Sequence, residues 1–363
     1  MTERERFLKT LRFKKVDRPP FWLEGPWPET LERWYREGLP RDANLPNFFG
    51  MPNLELEYIG INLYVNPPFE RKVIEEDDEV EVYFDEFGRK ARRFKKTETM
   101  PEWLEFPVKT PHDLEMILEE RLKPTLDGRF PRDWAERLER YRKKDRLEVV
   151  LCDGGCYYWF VRSLAGVEVA SYLFYDSPNL LHRVFSRIAD LCILAMEEVF
   201  PKVHIDYVGF GEDIAFKTGP LISPAMFKEF IAPSYKRTVE FAKAHGVDIF
   251  WVDSDGDLRQ LMPLFLECGV NTFSPMEVAA SMDVTLCRRT FGKAARFIGG
   301  IDKREVARGK DAIDRELERK VPALLREGGY IPRLDHQTVS ADTSLENYRY
   351  YLKRLGEIYA SAS

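Results

Sequence analysis

The feature that most constrains this chain is a repeated pattern in its second half. A short apolar run ends in a carboxylate within a few residues, and helix-length stretches separate one run from the next. The runs are Glu148-Val-Val-Leu-Cys152, Tyr207-Val-Gly-Phe210, Ile249-Phe-Trp-Val252, Asn271-Thr-Phe273, Arg296-Phe-Ile298 and Gly329-Tyr-Ile331. Ala225 to His245 and Leu258 to Cys268 are amphipathic connections of helical length. Strand and helix alternating at this spacing predict a parallel sheet with right-handed crossovers. Six or more units in 363 residues favour a closed ring over an open sheet. The expected fold is therefore α/β, a (β/α)8 TIM-type barrel.

The first part of the chain reads differently. It is rich in charge, proline and aromatics, and Val80 to Ala91 alternates and turns at Gly88, which predicts a β-hairpin. Pro101 to Pro107 reads as a packed irregular connection, and Thr110-Pro-His-Asp opens a helix with Thr110 as its cap. The expected organisation is one domain, 1–363, with 1–147 as an elaborated N-terminal part and 148–363 as the strand–helix repeats.

A barrel needs a large apolar core, and 44% hydrophobic residues supply it. The net charge of -6 gives no basic footprint for nucleic acid. Basic runs at Arg89 to Lys96 and Arg315 to Lys320 read as solvated faces. The N-terminus is charged and lacks the apolar core of a signal peptide, and no apolar run is long enough to span a membrane. Five scattered cysteines point to free thiols in a reducing cytoplasm.

In a parallel barrel the strand ends share one face, where the working site lies. The residues that follow the runs are Asp153; Glu212 and Asp213; Asp253, Asp255 and Asp257; Glu277; Asp302 and Lys303; and Arg333, Asp335 and His336. So many like charges are costly unless a cation or a proton sits among them. Some have plainer readings. Asp257 and Ser223 suit helix caps, and Thr343-Ser-Leu-Glu346 has capping-box spacing. Asp253-Ser-Asp-Gly-Asp257 lacks the closing glutamate of a calcium loop, and Cys152-Asp-Gly-Gly-Cys156 has no second pair for structural zinc. His336 follows a strand, where an imidazole can move protons near neutral pH. His112, His182, His204 and His245 lie on or beside helices and read as structural.

Ordered motifs carry a family resemblance. They are Glu3-Arg-Glu-Arg-Phe7 with Val16-Asp-Arg-Pro-Pro20, Gly219-Pro-Leu-Ile-Ser-Pro224 with Phe230-Ile-Ala-Pro233, Ser254-Asp-Gly256, Gly299-Gly-Ile-Asp302, Gly328-Gly-Tyr330 and Leu345-Glu-Asn347. In this order the chain resembles the uroporphyrinogen decarboxylase superfamily. That resemblance implies either a cofactor-free decarboxylase of tetrapyrroles or a zinc-type methyltransferase that works with a methylated corrinoid, and a homodimer in either case. His336 matches the late histidine of the decarboxylases, and Arg162 lies nearest to their tyrosine after the Gly-Gly turn. Phe21-Trp-Leu-Glu-Gly25 replaces their arginine motif and puts Glu24 there. Asp253 and Asp255 replace the His and Cys of the methyltransferases, an oxygen-rich set that suits a harder ion.

The leading expectation is a decarboxylating lyase without cofactor. Asp213, Asp255 and His336 would be catalytic, and Glu24, Asp153, Arg162, Glu212, Lys303 and Arg333 would hold a small-molecule substrate. The alternative is a metal-dependent methyltransferase served by a corrinoid protein, with Asp253, Asp255, Glu277 and His336 as ligands to a divalent metal. A third reading is a barrel that only binds a small cationic ligand.

Overall fold

The computed structural model describes residues 1–96, 100–143 and 149–362. Seven parallel strands form one curled sheet: β1 (Leu56–Tyr58), β2 (Val149–Asp153), β3 (Tyr207–Gly211), β4 (Phe250–Asp253), β5 (Thr272–Ser274), β6 (Arg296–Ile298) and β7 (Tyr330–Ile331). They pair in chain order, so each connection carries the chain to the next position in the ring. Every apolar run of the second half supplies one strand, with bounds moved by a residue or two. Glu148 lies outside the described residues.

The eighth position of the ring holds no regular strand. The segment Phe21 to Glu24 fills it. On one side the Phe21 carbonyl accepts from Leu54 N at 2.7 Å, and Asn53 accepts from Leu23 N at 2.9 Å. On the other side Glu24 Oε1 accepts from Leu334 N at 2.8 Å, just past β7. Gly25–Pro26 then pairs in parallel with Thr338–Val339, so side chains and a two-residue ladder share this closure. The fold is a (β/α)8-type barrel with one irregular stave.

Strand alternation sends every second side chain inward. Leu151, Tyr207, Ile249, Trp251, Ile298 and Ile331 fill the ring together with Phe7 and Leu11. The last two belong to the helix Glu3–Leu11, which begins in a capping box at Thr2 and Glu5. That helix plugs the N-terminal end of the ring. Arg4 bonds Asp206 at 2.6 Å just before β3, Arg12 bonds Asp248 at 2.8 Å just before β4, and the Thr10 carbonyl accepts from Gly329 N at 3.0 Å just before β7. The outer helices Tyr157–Asp176, Pro178–Val199, Ala232–Ala244, Lys310–Glu327 and Leu345–Ala362 pack around the sheet.

The hairpin at Val80–Phe84 and Lys90–Phe94 forms as expected, inside a four-stranded antiparallel sheet that also contains Lys72–Glu76 and Glu102–Glu105. The last of these corrects the reading of Pro101 to Pro107, where Glu102–Glu105 is an edge strand. Phe87, in the hairpin turn, packs on Trp159 with ring centroids 5.5 Å apart and ties this sheet to the barrel. Thr110 caps its helix through Asp113 as expected, and Ser223 accepts from Met226 N.

Two cap expectations shift. Asp257 accepts from Arg259 N in a turn, and the helix starts later, at Met262. At the last helix the capping hydroxyl is that of Ser344, which accepts from Asn347 N, while Thr343 is buried. In both places a turn precedes the helix and displaces its first residue. Ala225 to Ala244 is helical and contains a π segment, Phe227–Ile231, and His245 caps its end. No helix among the described residues is long and apolar enough to cross a membrane.

Candidate functional site

The same alternation that packs the ring aims its last inward residues at the C-terminal mouth. On β2 the inward positions run through Leu151 to Asp153, and on β4 through Trp251 to Asp253. Asp253 pairs in register with Gly211 on one side and with Ser274 on the other. It sits at the floor of the mouth, walled in by the ring and reached by solvent through the mouth.

The surroundings of Asp253 have a fixed polarity. Arg333 can only donate, so Gln337 must turn Oε1 toward it, at 2.8 Å from Nη1. The Gln337 amide nitrogen then donates to Asp253 Oδ1 at 3.0 Å. Trp251 Nε1 can only donate and takes the lone pair of Ser274 Oγ, so the Ser274 hydroxyl donates to the same Asp253 Oδ1, at 2.5 Å. Two relays thus end on one oxygen. Burial pushes the Asp253 carboxyl above its usual range, while both donors pull it back.

A second group lies beyond the strand ends. His336 Nδ1 is 3.6 Å from Asp255 Oδ1, and its Nε2 is 3.4 Å from Glu277 Oε1. Candidate ligand atoms of Asp255, Glu277 and His336 lie within 4.8 Å of one another. The loops hold two of them in place. Glu277 Oε2 accepts from Gly256 N at 2.8 Å, which leaves Oε1 toward the histidine. Asp335, next to His336, accepts from Val278 N at 2.9 Å and from Lys303 N at 3.3 Å, tying three strand-end loops together. The positive φ of Met276 (61°) and Gln337 (57°) turns the backbone beside this group. Burial pushes Asp255 up to about 6; His336 opposes the rise, and Asp213, Asp253 and Glu277 add to it. Burial alone pushes Asp153 up to about 6.

The group suits a hard or borderline divalent cation. It offers two carboxylates and one imidazole, with no thiolate. Among the described residues, His336 is the only basic side chain paired with Asp255 or Glu277, and its ring makes no hydrogen bond to either carboxylate. Asp253, expected as a fourth ligand, stands apart from this set.

The other expected site residues fall into separate places. Asp213, at a φ of 42°, is exposed on the rim and pairs with Arg162 at 3.3 Å. Glu212 is fully buried and turns away from the mouth. It accepts from Tyr157 N at 2.8 Å, Trp159 N at 3.1 Å and Tyr235 OH at 2.7 Å, so it anchors the start of a helix, where the backbone donors are otherwise unpaired. Burial raises its carboxyl to about 7. Glu24 is also buried, bonded to Leu334 N and Tyr348 OH. Arg333 lies over the Trp22 ring at 3.9 Å and 3.9 Å from Glu24, which makes it part of the ring closure. Lys303 begins a short helix, Lys303–Arg308, with its side chain half-buried.

Sequence reading did not single out Ser274, Gln337, Tyr58 or Tyr207. Ser274 and Tyr58 end strands and could have been found by counting inward positions. Gln337 directly follows His336, but its role depends on a left-handed backbone that carries no sequence mark.

A parallel barrel whose strand ends bring carboxylates and a histidine together belongs to the large class of barrels that place their working groups on this face. A family model for uroporphyrinogen decarboxylase (URO-D) matches residues 159–357, more than half of the chain, and the protein belongs to that family. No curated protein matches it. Among solved structures, a methyltransferase from Methanosarcina mazei aligns over 99% of this chain and 100% of its own, with 15% identity and a TM-score of 0.60. A B12-independent methionine synthase from Shewanella sp. W3-18-1, in complex with selenomethionine, aligns over 94% of each chain with 11% identity and a TM-score of 0.34.

Proposed function

We propose that this protein is a divalent-cation-dependent methyltransferase that takes its methyl group from a methylated corrinoid on a separate protein. The observation that carries this reading is the convergence of Asp255, Glu277 and His336 within 4.8 Å, with no lysine or arginine paired to either carboxylate among the described residues. The methyltransferase of like fold directs the choice of transferred group. Asp255, Glu277 and His336 would hold the cation, which when bound lowers the pKa of an acceptor thiol or hydroxyl. Gly256 N and Asp335 keep the Glu277 and His336 loops in place. Asp153 and Asp253 face the substrate from the ring.

The test is the metal content of the purified chain beside Glu277→Ala and His336→Ala, followed by methyl transfer from methylcobalamin to a thiol. One ion per chain, lost in both variants, is the expected result. A chain that takes up no divalent ion even after reconstitution sinks the reading.

One observation favours cofactor-free decarboxylation as a second reading. Asp153 and Asp255, both raised to about 6, can carry a proton to a substrate carbon at neutral pH. Carbon dioxide release from anaerobic uroporphyrinogen or coproporphyrinogen would select it. The mouth opposes a polyanion, since Arg162 and Arg333 are both engaged by carboxylates.

A further inference from the structure

Three polar groups at the floor of the mouth have acceptor capacity that no protein group among the described residues uses. Asp253 Oδ1 is taken by Ser274 and Gln337, while Oδ2 receives no hydrogen bond among the described residues. The Asp153 carboxylate, half-buried at the end of β2, has neither an ion pair nor a hydrogen-bond donor among them. Tyr207 is fully buried with its hydroxyl unpartnered, and the charged groups that act on that hydroxyl most strongly include Asp153 and Asp253, with Tyr58 beside them.

These groups belong to neighbouring strands. β3 lies between β2 and β4, and opposite the two aspartates it carries Gly209 and Gly211. Adjacent strands are about 4.8 Å apart and the register offsets the two aspartates by two residues, so their backbones stand roughly 12 Å from each other, with the Leu151 side chain packed over Gly209 on the ring floor. Both carboxylates can reach one small group placed over Tyr207.

A buried orphan hydroxyl and an unpaired carboxylate each cost stability unless something completes them. Among the described residues no arginine or lysine forms an ion pair with Asp153 or Asp253: Arg162 holds Asp213, and Arg333 acts on Asp253 only from a distance while it is bonded to Gln337 and stacked on Trp22. A ligand with positive charge and several N–H donors would satisfy all three groups at once.

We infer that Asp153, Asp253 and Tyr207 form a subsite on the barrel axis that takes the primary-ammonium end of the substrate. This rests on the reading of the mouth as the working site. It makes that substrate an amine and places the amine away from the Asp255–Glu277–His336 group.

The test is calorimetric titration of the full, metal-stripped chain in an amine-free buffer with 1,4-diaminobutane, tetramethylammonium and acetate as probes. Diaminobutane should bind saturably and the other two should not, since one lacks N–H groups and the other has the wrong charge. Asp153→Asn and Asp253→Asn should each weaken binding by about tenfold or more, as loss of a charge-assisted bond does. Tyr207→Phe should weaken it about fivefold and leave the melting temperature unchanged, because the hydroxyl has no protein partner to lose. Diaminobutane binding that is absent, that survives both aspartate substitutions, or that potassium chloride displaces at equal concentration would overturn the subsite. Metal uptake is measured separately, so a failed subsite with an intact metal site, or the reverse, tells the two ideas apart.

Discussion

The two ends of the barrel treat carboxylates in opposite ways. At the N-terminal end two strand-entry acids have an arginine each: Arg4 on Asp206, Arg12 on Asp248. At the C-terminal end Asp255 and Glu277 share one histidine among the described residues, and Asp153 and Asp253 have no ion pair among them. The first arrangement stabilises the ring. The second carries unfavourable repulsion that only a ligand, a proton or a metal relieves. Conservation of energy at one end and its deliberate expense at the other is what separates a structural face from a working face.

Substitutions should break that contrast in a definite order. The largest effect belongs to the structural end. Asp206 is buried, and Arg4→Met would leave it with His204 at 3.7 Å, so the substitution should cost about 3 kcal/mol in urea unfolding. Next comes space at the floor. A Cβ on Gly209 would stand 2.6 Å from Leu151 Cδ1, and Gly209→Ala should cost about 1–3 kcal/mol of stability. If it proves neutral, the floor is looser than described.

The working end should respond in the reverse direction. The Asp153 carboxyl is raised to about 6, so its favourable neutral form is fully present below the usual carboxylate range and is lost as pH rises through 6. Wild-type stability should therefore fall relative to Asp153→Asn between pH 4 and pH 8, by on the order of 1 kcal/mol after allowance for solvent. Parallel unfolding curves at both pH values would remove Asp153 from the strained set. The smallest effect is expected at Asp255, which is half exposed. Asp255→Asn should leave the melting temperature unchanged or slightly higher in metal-free protein, and a clear loss of stability would move Asp255 to the structural class.

Much of this contrast could be read in the sequence, for a reason tied to strand geometry. A strand buried on both faces reads as a short apolar run, and whatever ends the run stands at the mouth. Asp153, Asp253 and His336 were found that way. The ring's first staves were not, because Phe21 to Glu24 and Leu56 to Tyr58 owe their places to side-chain contacts and to distant partners. Glu212 and Asp213 show the limit of the method. They are neighbours after the same strand, yet one turns inward to hold a helix and the other outward to meet Arg162. The direction is set by the positive φ at Asp213, which local composition does not announce. Gln337 escaped for the same reason.

The irregular stave has a mechanical consequence. A hoop held at one joint by clasps instead of a continuous weld yields there first. The joint made by Asn53, Glu24 and Arg333 is where this barrel should open under load or on heating, with its amides exchanging ahead of the other strands. Glu24 and Arg333 also lead, through Gln337, to Asp253. Any strain that loosens the hoop would therefore be felt at the floor of the mouth before the rest of the ring gives way.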